Sequence, residues 1–78
     1  MPTVLRVRAY RFFFVSVDGN EPPHIHVTRE NMVAKFWLEP VVLERAGGFS
    51  RVELNAIMNI VEEQQWRLLK SWHEFFGD

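Results

Sequence analysis

Cysteine is missing from this chain altogether. That excludes disulfide staples and any metal site built on thiolates, so stability has to come from an apolar core. Glycine and proline are scarce, four of each, and no linker, repeat or low-complexity tract interrupts the sequence. No apolar run approaches the length of a membrane span, and the N-terminus lacks the apolar stretch and cleavage site of a signal peptide. The expectation is a soluble cytoplasmic protein that does not enter a membrane. No sign of charge dominates either: the formal net charge is −1, so no global field draws in nucleic acid.

What is present is apolar and aromatic. Of 78 residues, 47% are apolar, with seven Phe and three Trp. A chain of this size makes a single domain, residues 1–78, and has enough apolar mass to fold without staples. The charge is unevenly spread. Residues 1–38 carry five basic and three acidic groups, and residues 39–78 carry four basic and seven acidic ones. Arg6, Arg8 and Arg11 lie close together in the basic half and are the candidates for touching phosphate. Ordinary solvated strand arginines are the plainer explanation.

Arg11 to Val17 (RFFFVSV) is rich in Phe and Val and predicts a strand. Residues 3–8 form a short lead-in or edge strand. Asp18-Gly19-Asn20 signals a turn, which Pro22-Pro23 prolongs. His24 to Arg29 and Met32 to Leu38 are the next strands, joined at Glu30-Asn31, where Asn tolerates the left-handed conformation of a tight turn. Val41 to Glu44 makes a short fourth strand, and Gly47-Gly48 ends it. Ser50 and Glu53 have the spacing of a capping box, with Phe49 and Leu54 placed as its hydrophobic staple. Leu54, Ile57, Val61, Leu68, Trp72 and Phe75 then recur at helical spacing, and Gly77 is a stop. The fold class expected is α+β: a small antiparallel meander of three to four strands over about residues 3–45. One long C-terminal helix, about 50–76, packs on one face.

A helix covers one face of a sheet, so the other face is the candidate surface. His24 and His26 stand two apart on a strand and project from the same side. Packing Ile25 and Val27 under the helix places His24, His26 and Thr28 on the opposite side, near Lys35 and Trp37. Phe12 and Phe14 alternate with Phe13, Val15 and Val17, so both sides of that strand are apolar, and one Phe set is left outside the core. The expected binding surface is therefore His24, His26, Thr28, Lys35, Trp37, Phe12 and Phe14, buried in a homo-oligomer, against a small partner protein or around a ligand. On the helix, Trp66 and His73 share a flank near Glu62. The simplest reading has Trp66 lapping over the sheet edge and His73 solvated near the helix end, where the dipole favours it.

Three chemistries fit two strand histidines. Two imidazoles can ligate one ion, but a site needs three or four ligands. Asp18, Glu21, Glu30 and His73 complete no recognisable spacing, so neither a metal nor a cofactor is expected. Two imidazoles can also serve as general acid and base at neutral pH. His24-Ile25-His26-Val27-Thr28 is similar to the alternating strand motif of histidine-triad nucleotide hydrolases, with Thr28 replacing a third histidine in a chain too short for that fold. His26-Val27-Thr28 looks like half of a two-histidine phosphoesterase signature. His24 and His26 are accordingly the catalytic candidates. The third possibility is structural, with the histidines holding a loop or lining an interface.

Three stretches taken together resemble the small prokaryotic domain of unknown function 4160 family: Pro22-Pro23-His24-Ile25-His26-Val27, Ala34-Lys35-Phe36-Trp37-Leu38, and Leu68-Leu69-Lys70-Ser71-Trp72-His73-Glu74-Phe75-Phe76. The likeness runs from about Pro2 to Gly77. It implies a protein often encoded beside another small domain and suspected of belonging to toxin–antitoxin pairs. It carries over no catalytic residue; His24 and His26 are the histidines that match its signature. The expected function is a protein-binding module acting in a complex, in the manner of a toxin–antitoxin component. The alternative is an RNA- or nucleotide-directed phosphodiesterase or ribonuclease using His24 and His26.

Overall fold

The computed structural model describes residues 3–77; Met1, Pro2 and Asp78, which the single-domain reading includes, lie outside the described residues. Among the described residues five strands come first: β1 (Thr3–Val7), β2 (Tyr10–Phe13), β3 (His24–Arg29), β4 (Met32–Leu38) and β5 (Val41–Arg45). Two helices follow, α1 (Arg51–Glu63) and α2 (Gln65–Phe76). The strands make one antiparallel sheet in chain order. The class is α+β, with five strands where three to four were expected and two helices where one was expected.

The extra strand comes from a tight turn at Arg8-Ala9. Arg8 takes a left-handed φ of 55°, which folds residues 3–7 back along β2 and sets Arg6 opposite Arg11. The same device closes the β3–β4 hairpin. There Glu30, with φ 57°, takes the left-handed conformation, where Asn31 was the expected one. β2 stops at Phe13, and Ser16–Asp18 curls into a single 3-10 turn instead of continuing the strand to Val17. The Asp18 N–H donates to the Val15 carbonyl and the Glu21 N–H to the Asp18 carbonyl, both at 3.0 Å. This turn sends the chain back over the end of the sheet.

Alternation along the strands sorts the core. Phe12, Ile25, Val27, Ala34, Phe36 and Leu38 are fully buried and pack with Ile57, Val61, Leu68, Leu69 and Trp72 of the helices. Burying side chains of this size contributes about 1.5–3 kcal/mol each. Phe14 belongs to the same cluster, wedged edge-on against Trp72. Phe12 and Phe14 therefore belong beneath the helices, which corrects their expected place on the histidine face. Phe12 has the strand parity that faces the helical layer, Phe14 follows it just past the end of β2, and Phe13 has the opposite parity.

The helix start follows the local signals. Ser50 is the N-cap, and its Oγ accepts from the Glu53 N–H at 3.2 Å. Phe49, just before the cap, is buried in the core. Gly47 just upstream has φ 64°, and a Cβ there would sit 1.8 Å from the Val33 carbonyl oxygen, so only glycine fits. The predicted single helix is bent at Gln64, whose φ of −102° and ψ of 12° leave the helical region. Bonds from the Gln64 N–H to Ile60 and from the Leu68 N–H to Gln64 carry the ladder past the bend. The Gln65 amide donates to the Leu38 carbonyl at 2.7 Å and anchors the bend on β4. Trp66 stands 73% exposed, so it does not lap over the sheet edge. No described helix is long and apolar enough to cross a membrane.

Candidate functional site

The candidate site forms where the loop between β2 and β3 folds back on the start of β3. Gly19 makes this possible: a Cβ there would meet the Phe76 ring at 2.8 Å, so the loop lies directly on the end of α2. Asp18, at the end of the 3-10 turn, then points at the two strand histidines. Its Oδ2 lies 2.9 Å from His24 Nε2 and 3.0 Å from His26 Nε2.

His24 is fully buried. Its Nδ1 is 2.9 Å from the Pro22 carbonyl oxygen, which can only accept, so Nδ1 carries a hydrogen and donates it. Three rings enclose it: Trp72 at 5.0 Å, His26 at 5.1 Å and Trp37 at 5.6 Å between centroids. The expectation that both imidazoles look outward is thus corrected for His24, which α2 reaches through Trp72 at the end of the sheet. His26 stays on the side away from the helices, half-buried, with its ring stacked on Phe13 at 5.3 Å.

The neighbours follow from register. His24 pairs with Trp37, His26 with Lys35 and with Phe13, and Thr28 with Val33 and Arg11. Lys35 is itself buried; its Nζ donates to Glu21 Oε1 at 2.7 Å and lies 4.7 Å from the centre of the Trp37 ring. Thr28 donates to the Met32 carbonyl at 2.8 Å and so stabilises the hairpin. Arg11 donates to the Thr3 hydroxyl and covers the Phe13 ring at 4.7 Å. Arg6 stands across from Arg11, and Arg8 sits in the turn between β1 and β2. The arginines gather at the β1–β2 hairpin, and Arg11 is joined to the histidine cluster through the Phe13 ring, on which His26 also stacks.

The electrostatics separate Asp18 from His26. Burial pushes the Asp18 carboxyl up, but the hydrogen bonds and charges from His24 and His26 outweigh it, and the net direction is down. Burial lowers His26, against the pull of its bond to Asp18, and His24 and Lys35 push it the same way as burial. Asp18 is accordingly ionised and His26 neutral near pH 7.

Asp18 is the group that spacing alone does not reveal. Read along the chain it is one of several carboxylates near the histidines, and the Asp-Gly-Asn signal marks only a turn. The signal that could have found it is the pair of features flanking that turn. A small residue at position 19 allows close approach to another element, and Pro22-Pro23 limits how the returning chain can run. No enclosed cavity forms among the described residues, so the site is a shallow corner instead of a pocket.

The family described as Domain of unknown function (DUF4160) matches residues 9–73, and the chain belongs to it. No curated protein and no solved structure matches the chain.

Proposed function

We propose that this chain is a protein-binding module that works in a complex, as one half of a small two-protein pair of the toxin–antitoxin kind. The observation that carries the reading is the outer side of β4 and β5. A half-solvated antiparallel sheet normally turns polar side chains to water. Here the outward positions of β4 are Val33, Lys35 and Trp37, and Val42 lies opposite Trp37 on β5. Val33 is 40% exposed and Val42 46% exposed, with Arg45 beside them opposite Lys35. Two exposed valines and Trp37, bordered by the ion pairs Lys35–Glu21 and Arg45–Glu44, suit apolar contacts from a partner protein.

Two features argue against nucleic acid as the occupant. Bases need open ring faces on which to stack. Phe13 is covered by Arg11 and His26, and the Trp37 ring is covered by Lys35. The phosphodiesterase reading is weakened as well. A general acid–base pair needs two imidazoles that reach substrate, and His24 is enclosed with both ring nitrogens engaged.

A photo-crosslinking residue placed at position 42 tests this in cells, with one at position 52 on the outer side of α1 as control. The expected result is a single partner protein attached from position 42 and absent from position 52. RNA adducts from position 42 would transfer the surface to nucleic acid, and adducts to a second copy would make it a self-association face. No adduct, or the same adducts from both positions, would overturn the reading.

A further inference from the structure

We propose that Asp18, His24 and His26 form a binding site for one divalent transition-metal ion of the zinc class. This does not depend on what the β4–β5 surface binds.

The donor atoms already converge. One donor atom from each of Asp18, His24 and His26 lies within 4.8 Å of the other two, and Asp18 Oδ2 is 2.9 and 3.0 Å from the Nε2 atoms of the two rings. Zinc bonds to nitrogen and oxygen are about 2.0–2.2 Å, so the ligand atoms of a tetrahedral site stand about 3.3 Å apart. The two N···O separations of 2.9 and 3.0 Å therefore need to open by only about 0.3–0.4 Å to admit an ion. Small rotations of the Asp18 side chain, which is on a loop, can supply that.

The hydrogen bonding orients the His24 ring. The Pro22 carbonyl takes the Nδ1 hydrogen of His24, so an ion at Nε2 would replace the hydrogen which that nitrogen directs at Asp18 and would leave the Nδ1 bond in place. A backbone carbonyl holding the far nitrogen is the usual way a ligating histidine is oriented. Aromatic packing fixes the planes of both rings: Trp72 and Trp37 flank His24, and Phe13 lies under His26. Both imidazoles are thus held on a strand, and the carboxylate sits on the turn that faces them.

The donor set selects the ion. Two imidazoles and one carboxylate suit zinc and its first-row neighbours, and they are poor partners for calcium or magnesium, which prefer all-oxygen shells. The Lys35 ammonium, whose charge already disfavours a cation at His26, is paired with Glu21 at 2.7 Å, which softens its repulsion of a dication. The side chains of Asp18 and His26 keep 18% and 12% of their surface exposed, which gives the ion a path and leaves a fourth position for water. Bound there, the ion would tie the loop at residues 18–23 to β3.

The test is calorimetric titration of chelator-stripped protein with zinc chloride. Wild type should take up one equivalent. Asp18→Asn and His26→Gln, each checked for folding by circular dichroism, should both bind at least about tenfold more weakly, since even the loss of an outer-shell partner costs about 10–100-fold. His73→Gln should bind as wild type does. A measurement needing no variant runs beside it: zinc should raise the melting temperature of wild type by several degrees and magnesium should leave it unchanged. Uptake of less than half an equivalent at a zinc concentration near 100 µM would overturn the proposal. Binding within threefold of wild type in either folded ligand variant, or loss of binding in His73→Gln, would do so too. If neither ligand variant folds, the melting shift decides, and its absence overturns the proposal.

Discussion

Glu53 and Asp18 are each shared by two partners from the sheet, yet the clusters they build differ in kind. Glu53 takes a hydrogen bond from the Tyr10 hydroxyl at 3.1 Å and an ion pair from Arg29 at 2.7 Å, so one carboxylate of α1 holds β2 and β3 together. Its partners keep their protons at any ordinary pH, because a guanidinium does not titrate and a phenol does so only in alkali. Asp18 instead faces two imidazoles, whose ring nitrogens can hand a lone pair to a metal. Both clusters are partly buried, and both bring distant segments together. The Glu53 cluster pairs a carboxylate with a guanidinium and a phenol and fits a clamp, whereas the Asp18 cluster brings metal-ligating donors together and is where chemistry can happen.

The largest effect expected from breaking this contrast is at Trp72. It is fully enclosed, lies edge-on to Phe14 and forms one wall around His24. Trp72→Ala should lose about 3–5 kcal/mol in urea denaturation, the range for large buried aromatics. The histidine cluster should loosen more than the Glu53 cluster, which Trp72 is not seen to touch. A loss under about 1 kcal/mol would remove Trp72 from the core.

Glu53→Gln comes next. It takes the counter-ion from Arg29 while keeping shape and some hydrogen bonding, and both side chains are 26% exposed, which softens the cost. A loss of about 1 kcal/mol is expected, since the half-buried guanidinium keeps only its contact with the exposed Glu30 at 3.4 Å as an ion pair. The readout is again a urea melt, and zinc uptake at the Asp18 cluster should be unchanged, because the clusters share no residue.

The smallest effect is on pH dependence, and it separates the clusters by sign. His26 is held below its ordinary 6.5 and Asp18 below its ordinary 3.8. In each case the unfolded chain takes up a proton that the folded chain still refuses. Stability should therefore decline as pH falls below 6.5, and decline further below 3.8. Tyr10 is raised above 10.0, by burial first and then by its bond to Glu53 and that carboxylate's charge. There the unfolded chain releases its proton first, so stability should fall as pH climbs past 10.0. Melting temperatures of metal-free protein across that range give both limbs, and His26→Gln should flatten the acid limb alone.

The parts of this architecture legible in sequence are those with local causes. Ser50 and Glu53 mark the helix start because a cap and its bond lie three residues apart. The β3–β4 hairpin is legible because His24, His26 and Thr28 alternate with Ile25 and Val27, and the buried set picks out its partners on β4. The consecutive Phe12-Phe13-Phe14 run is ambiguous for the opposite reason: alternation assigns two of the rings to one side, but only the packing of Trp72 against Phe14 says which. The bend at Gln64 has no glycine or proline to announce it, and it is fixed by a bond from Gln65 to a strand carbonyl 27 residues away. The histidine site is half legible. Two imidazoles on one side of a strand are evident from spacing, whereas Asp18 reaches them only because Gly19 lies against Phe76 at the far end of the chain.

The most direct examination of the Asp18 cluster is a nitrogen-15 spectrum of the histidine rings recorded while zinc is added to the metal-free protein. The account predicts that the Nε2 signals of His24 and His26 move together and saturate at one equivalent, with Nδ1 of His24 keeping its hydrogen and His73 unmoved. Zinc that shifts His73 instead, or leaves the Nε2 atoms of His24 and His26 where they were, would contradict it.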